Sequence, residues 1–260
     1  MDINARTRTT AILVSLLKLR RDPFHRYFMT RKVKKIFYLL NQVFSEKKIE
    51  RFFSWRIRLT EIFDCKISSG RTSQILELGA GYSMRGFRKC LKNPNIIYVE
   101  SDLRQIVRRK RKVLQKICRK ERMRMPSNYH LLELDAVNED IFEKVKTIFP
   151  RGKKILILAE GLTLYFSEPD FEIFLGNIKR FFDRYPLAEF YSHEWIKKPK
   201  NIFFRLLGQA FLLIVAGRDV RKCYKTKDEF KLKLERIGFK KIKFYRYRPG
   251  FLFYSIFNFQ

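Results

Sequence analysis

Ile75-Leu76-Glu77-Leu78-Gly79-Ala80-Gly81 reads as a short apolar strand running into a Gly-x-Gly turn. About twenty residues later, Tyr98-Val99-Glu100-Ser101-Asp102 reads as a second strand that ends in carboxylates. In open α/β sheets this pairing builds a nucleoside pocket. The glycines let backbone approach the ligand, and the acid after the next strand accepts from ribose hydroxyls. Ser83 and Met84 follow Tyr82, so the third glycine of a dinucleotide fingerprint is missing. A nucleoside without a diphosphate, such as S-adenosylmethionine, fits this turn better.

The rest of the chain is consistent with such a sheet. From Ser73 onward, strands are expected at 74–79, 95–100, 129–134, 154–159 and 187–192, alternating with helices at 84–91, 103–121, 138–147 and 168–184. That alternation implies right-handed βαβ units and a mostly parallel sheet. A helix from Lys227 to Arg236 leads into two β-rich runs, Phe239–Tyr247 and Phe251–Phe259, around Arg248-Pro249-Gly250, the pattern of a C-terminal antiparallel hairpin. Residues 1–70 carry helical spacing through Ala11–Leu19, Val33–Phe44 and Phe52–Phe63, with a break at Asp22-Pro23. The expected organisation is an N-terminal helical region, 1–70, packed on a Rossmann-like core, 71–260. The apolar stretch 197–220 is a lid-like insertion or a core-packing helix pair.

A chain of 260 residues with 46% hydrophobic content has ample material for a folded core. The formal net charge of +31 suits nucleic acid, an anionic membrane face or an acidic partner; a compositional drift toward Lys accounts for it equally well. Cys65, Cys90, Cys118 and Cys223 show no Cys-x-x-Cys spacing and no adjacent His cluster. No metal is therefore expected, and the thiols read as reduced. Neither Ala11–Leu17 nor Ala210–Gly217 is long enough to span a membrane, so a cytoplasmic chain without a transmembrane segment is expected.

Several motifs in order resemble the leucine carboxyl methyltransferase family, including its bacterial branch acting on small molecules. Thr9-Thr10-Ala11, Leu16 to Arg21 and Asp22-Pro23 are similar to its N-terminal helix and turn, and Arg56-Ile57-Arg58 to its Arg-x-Arg segment. Glu77-Leu78-Gly79-Ala80-Gly81 resembles its glycine motif, with Arg85 and Arg88 at the basic positions after it. Glu100-Ser101-Asp102 resembles its Glu-x-Asp strand end, Lys110 the lysine on the next helix, and Leu134-Asp135-Ala136 its Asp-Leu motif. The most specific match is Ala159-Glu160-Gly161-Leu162-Thr163-Leu164-Tyr165, close to a Glu-Gly-Leu-x-x-Tyr signature. The chain departs from the family at Ser83-Met84, where Asp-Thr is usual, at Arg104 and at Ala136.

The resemblance implies a class I methyltransferase fold and S-adenosylmethionine as cofactor. It places Arg56, Glu77, Gly79, Ala80, Gly81, Glu100, Asp102, Asp135, Ala136 and Glu160 in cofactor binding, with Glu160, Tyr165 and His193 nearest the reaction. In chemical terms, Asp102 would accept both ribose hydroxyls or else cap the helix that follows. Asp135 would face the adenine amino group or cap a turn. Arg56 would pair with the methionine carboxylate. A carboxylate acceptor is already ionised and needs no base, whereas a hydroxyl acceptor would want His193 as one. The expected reaction is methyl transfer to a carboxyl or hydroxyl oxygen of a small or carrier-bound metabolite. Transfer to a protein C-terminal carboxylate, and a basic nucleic-acid-binding or RNA-modifying protein on the same fold, are the alternatives.

Overall fold

The computed structural model describes residues 23–28, 60–68, 72–195, 226–247 and 254–259. The expected helices at Ala11–Leu19 and Val33–Phe44, Arg56 and Arg58, and the insertion at 197–220 lie outside the described residues, so the two-region division of the chain is not addressed by them.

Seven strands form one sheet in the order β3-β2-β1-β4-β5-β7-β6. These are β1 (Gln74–Leu78), β2 (Ile97–Asp102), β3 (Tyr129–Glu133), β4 (Ile155–Ala159), β5 (Glu189–Trp195), β6 (Lys243–Tyr247) and β7 (Tyr254–Phe259). The first five are parallel, with Leu76 opposite Val99 on β2 and Ile157 on β4. β7 pairs antiparallel with β5 and β6; the connection at 248–253 lies outside the described residues. Every residue of β1 and β4 is buried, as expected of central parallel strands covered on both faces.

The side-chain alternation of the strands splits the core in two. On one face Ile75, Tyr98, Leu156, Leu158 and Tyr191 pack against helix α1 (60–68), α2 (Arg85–Lys92) and α3 (Arg104–Lys120). On the other, Leu76, Leu78, Val99, Ile155 and Ile157 meet α4 (Ile141–Val145), α5 (Glu168–Arg184) and α6 (Lys227–Ile237). The α5 start is fixed by a capping box: Ser167 Oγ accepts from the Asp170 N–H, and Asp170 Oδ2 accepts from the Ser167 N–H.

Three boundaries move from their expected places. β2 begins at Ile97 rather than residue 95 because Asn93 makes a turn, its Oδ1 accepting from the Asn95 N–H and its carbonyl from the Ile96 N–H. Glu100 and Asp102 consequently lie within the strand and share a face. α4 begins only at Ile141, where the Asp140 carboxylate accepts from the N–H groups of Phe142 and Glu143. β5 extends three residues past its expected end, so His193 is paired within the strand, opposite Ile256.

Candidate active site at the sheet switch point

The strand order reverses between β1 and β4, since β1 is followed outward by β2 and β4 by β5. The crevice beyond their carboxyl ends is where open α/β sheets bind ligands. Both strands leave the sheet through a left-handed glycine: Gly79 at φ +64° and Gly161 at φ +81°. The two exits touch. A Cβ on Gly79 would lie 2.7 Å from Leu162 Cδ1, so only glycine allows this approach in this conformation. Gly81, at φ +57°, completes the turn.

Asp102 ties that turn to the end of β2. Its Oδ2 accepts from the Gly81 N–H at 2.7 Å and its Oδ1 from the Leu103 N–H at 2.8 Å. The Ala80 N–H meanwhile donates to the Ser101 carbonyl at 3.0 Å. Burial pushes the Asp102 carboxyl up, and the Gly81 and Leu103 N–H groups partly offset this. A carboxylate has about four lone-pair positions, so two N–H bonds leave it able to accept from a vicinal diol. Leu103, not Asp102, is the N-cap of α3.

Beneath the crevice, Arg85 joins three carboxylates from three elements. Its Nε donates to Asp64 of α1 at 2.6 Å, its Nη1 to Glu77 of β1 at 2.7 Å, and its Nη2 to Glu160 after β4 at 2.5 Å. Thr60 Oγ1 donates to the other Glu160 oxygen at 2.9 Å, and Tyr98 OH donates to Glu77 at 2.6 Å. Burial opposes the Arg85 charge, but Glu77 and Glu160 beside it hold its pKa well above the ordinary value. Burial likewise pushes Glu77 up, with Arg85 pulling the other way. Ser83 and Met84, the unusual residues after the turn, are both buried. Ser83 Oγ accepts from the Arg85 N–H at 3.2 Å, helping to start α2, and Met84 joins the core under α1.

Glu100 is fully buried and also saturated with protein partners. The Gly86 N–H donates to it at 2.9 Å, Tyr129 OH donates to its Oε2, and Lys110 Nζ lies 2.5 Å from that same oxygen. Glu77 and Glu100, expected among the cofactor ligands, are thus enclosed and occupied. Their place is to hold α2 and α3 against the sheet. Gly86 sits so close to β2 that a Cβ there would lie 2.5 Å from Tyr98 Cδ1 and 2.8 Å from Glu100 Oε1. Gly86→Ala is expected to destabilise the fold by about 1–3 kcal/mol through overpacking, read as a lowered urea midpoint. An unchanged midpoint would contradict the close approach.

The Asp135-Ala136 loop lies beyond β3. Asp135 Oδ1 accepts from the Val137 and Asn138 N–H groups at 3.0 and 3.3 Å, and Asn138 Nδ2 donates to Oδ2 at 2.9 Å. Its carboxylate therefore caps the loop. The carbonyls of Ala136 and Val137 are each held at 2.9 Å by Asn177 Nδ2, reaching from α5. Tyr165 ends a single 3-10 turn, Thr163–Tyr165, and is half-buried. The His193 side chain and Arg56 lie outside the described residues. Among those residues no group of three or more His, Cys, Asp or Glu side chains is arranged to hold a metal ion.

The sequence marks Arg85 only as a basic position in a motif and Tyr98 only as part of a strand, and nothing along it singles out Thr60, Asp64 or Asn177. One signal was readable: on α3 the apolar positions Ile106, Val107, Val113, Leu114 and Ile117 leave Lys110 on the buried stripe.

Comparison with known proteins identifies the family and the fold. The family model for leucine carboxyl methyltransferase matches residues 12–179. This chain belongs to the leucine carboxyl methyltransferase family. Members of that family use S-adenosylmethionine. Solved structures share the fold at low identity. A candidate O-methyltransferase of Nostoc punctiforme PCC 73102 is 15% identical with TM-score 0.50, over 78% of this chain and 54% of that one. The mitomycin 7-O-methyltransferase MmcR is 14% identical with TM-score 0.51, over 86% and 60%. The S-adenosylmethionine-dependent methyltransferase SibL is 12% identical with TM-score 0.52, over 97% and 69%. The chain spans little more than half the length of the Nostoc protein. No curated protein sequence matches it. No helix among the described residues is long and apolar enough to cross a membrane.

Proposed function

We propose that this leucine carboxyl methyltransferase family member transfers a methyl group from S-adenosylmethionine to a carboxyl or hydroxyl oxygen of a small or carrier-bound metabolite. The observation that carries the reading is the link between the Gly79–Gly81 turn and Asp102 at the switch point, with Glu160 just after β4 held by Arg85 and Thr60. These residues fit the cofactor. The turn presents backbone without side chains, Asp102 has acceptor capacity left for two hydroxyls, and Glu160 is an acid held in place by Arg85 and Thr60. Ala136 and Asp135 would border the adenine, on a loop anchored by Asn177.

When bound, the cofactor supplies an electrophilic methyl on a sulfonium. The chain's contribution is alignment and exclusion of water, with proximity worth up to roughly 7–11 kcal/mol. Glu160 orients the cationic amino-acid end, and Tyr165 borders the acceptor. Arg56 stands four residues before Thr60, a reach of at most about 14 Å of extended chain from the Glu160 contact, which suits its assignment to the methionine carboxylate. His193 is the base for a hydroxyl acceptor and is dispensable for a carboxylate.

Calorimetric titration with S-adenosylhomocysteine tests the reading. Micromolar binding is expected, weakened roughly ten- to hundredfold in Asp102→Ala through loss of about 1.5–3 kcal/mol of charge-assisted hydrogen bonding. Equal affinity in the two proteins would remove Asp102 from the pocket, and absence of binding to the parent chain would sink the cofactor assignment.

A further inference from the structure

On the α4–α6 side Lys233 bridges Glu168 and Glu172, Lys144 meets Glu139, and Lys179 meets Asp183, while Arg180, Arg184 and Arg236 are exposed with no ion-pair partner among the described residues. On the opposite side, Arg104, Arg108 and Arg111 of α3 share one carboxylate, Glu133, at 3.5, 3.8 and 4.0 Å. Lys112, Lys116 and Arg119 of α3, with Arg122 and Arg124 just after it, are exposed and have no ion-pair partner among the described residues. What sets α3 apart is arrangement: its exposed cations follow one another along a single helix.

We propose that the outer face of α3 binds duplex nucleic acid through its phosphodiester backbone, without reading bases. The exposed cations recur every three or four residues along a helix of 17 residues, so they form a line about 25 Å long with charges about 5–6 Å apart. A row of charge of that kind complements a regularly charged polymer better than a single anionic group. Arginine supplies much of it, and its planar fork matches phosphate. Two other polyanions fit less well. A membrane surface calls for apolar residues to insert, and those of α3 are buried against the sheet. An acidic protein calls for apolar anchors at the centre of the contact, and the only large apolar side chain exposed within 104–125 is Met125. Tyr27 stands half-buried beside the end of α3, its OH donating to Glu121, but no aromatic residue occurs between Arg104 and Arg124 along the line of cations, so the denser charge of a duplex is preferred over a single strand.

The test is fluorescence anisotropy of the full chain with a labelled 20-base-pair DNA duplex across a sodium chloride series. The variant Lys112→Gln/Lys116→Gln/Arg119→Gln is expected to bind at least roughly tenfold more weakly at 0.1 M salt, with a log–log salt slope shallower by about 2–3. Lys144→Gln/Lys146→Gln/Lys231→Gln removes the same charge from the other layer and is expected to bind like the parent. Equal losses in both variants would mean a whole-molecule charge effect and overturn the surface. Tighter binding to phosphatidylserine vesicles, polyglutamate or the single strand than to the duplex would overturn the occupant. The thermal shift induced by S-adenosylhomocysteine is expected to be the same in all three proteins, so this surface and the cofactor pocket stand or fall separately.

Discussion

Replacing Arg85 with Met is expected to cost about 3–5 kcal/mol of folding stability at neutral pH, because it strands Glu77 and Glu160 without their shared cation in a buried site. The pH dependence separates this cause from simple loss of packing. Burial already holds the Glu77 carboxyl above its ordinary range, so the native state favours its proton. A carboxyl raised in this way contributes stability that is full below its unfolded pKa and is lost as pH rises through its folded one. Removing Arg85 takes away the cation that pulls Glu77 down, and the window widens upward. The deficit of Arg85→Met relative to the parent should therefore shrink as pH is lowered from 8 to 5 in paired urea titrations. A deficit that stays constant over that range would show that stranded carboxylates are not the cause.

Lys110→Met is expected to be comparably damaging, by about 3–5 kcal/mol, since Glu100 and Lys110 are both wholly buried and face one another at 2.5 Å. Here a second substitution isolates the cause. Glu100→Gln in the same chain keeps an oxygen to accept from the Gly86 N–H and presents its amide N–H to the Tyr129 oxygen while removing the stranded charge. The double variant should be more stable than Lys110→Met alone, which a double-mutant cycle by denaturant unfolding reads directly. A double variant no better than the single one would reassign the loss to packing of the lysine stem.

The parallel sheet was legible because its signals are local. Apolar runs of strand length, glycine exits and the helical spacing of α3 and α5 each fall within a few residues, and α5 occupies the residues expected of it. The position of Asp102 was legible for the same reason, as an acid closing a strand. The two charge networks were not. Arg85 meets Glu160 across 75 residues and Thr60 meets Glu160 across 100, and no pattern along the chain announces such partners before the strand order is known. That Glu77 and Glu100 are enclosed by protein partners was not legible either, because strand alternation tells which residues share a face but not whether a helix already covers it. Asp135 shows the opposite limit: an acid after a strand was equally compatible with a ligand and with a turn, and its bonds from the Val137 and Asn138 N–H groups, which fix the loop, could not be read from the sequence.

The attachment of α1 makes its backbone amides a natural reporter on the crevice. Thr60 and Asp64 both bond to the Arg85–Glu160 pair, and Phe63 and Ile67 sit in the core on the same face of the sheet. The helix therefore cannot lift away without exposing that pair to water, and the free energy of its local opening includes the cost of doing so. Any ligand that engages Glu160 and steadies it should slow hydrogen exchange along 60–68, even if it touches none of those residues. Exchange protection along 60–68 would then register occupancy of a site on the other side of Arg85.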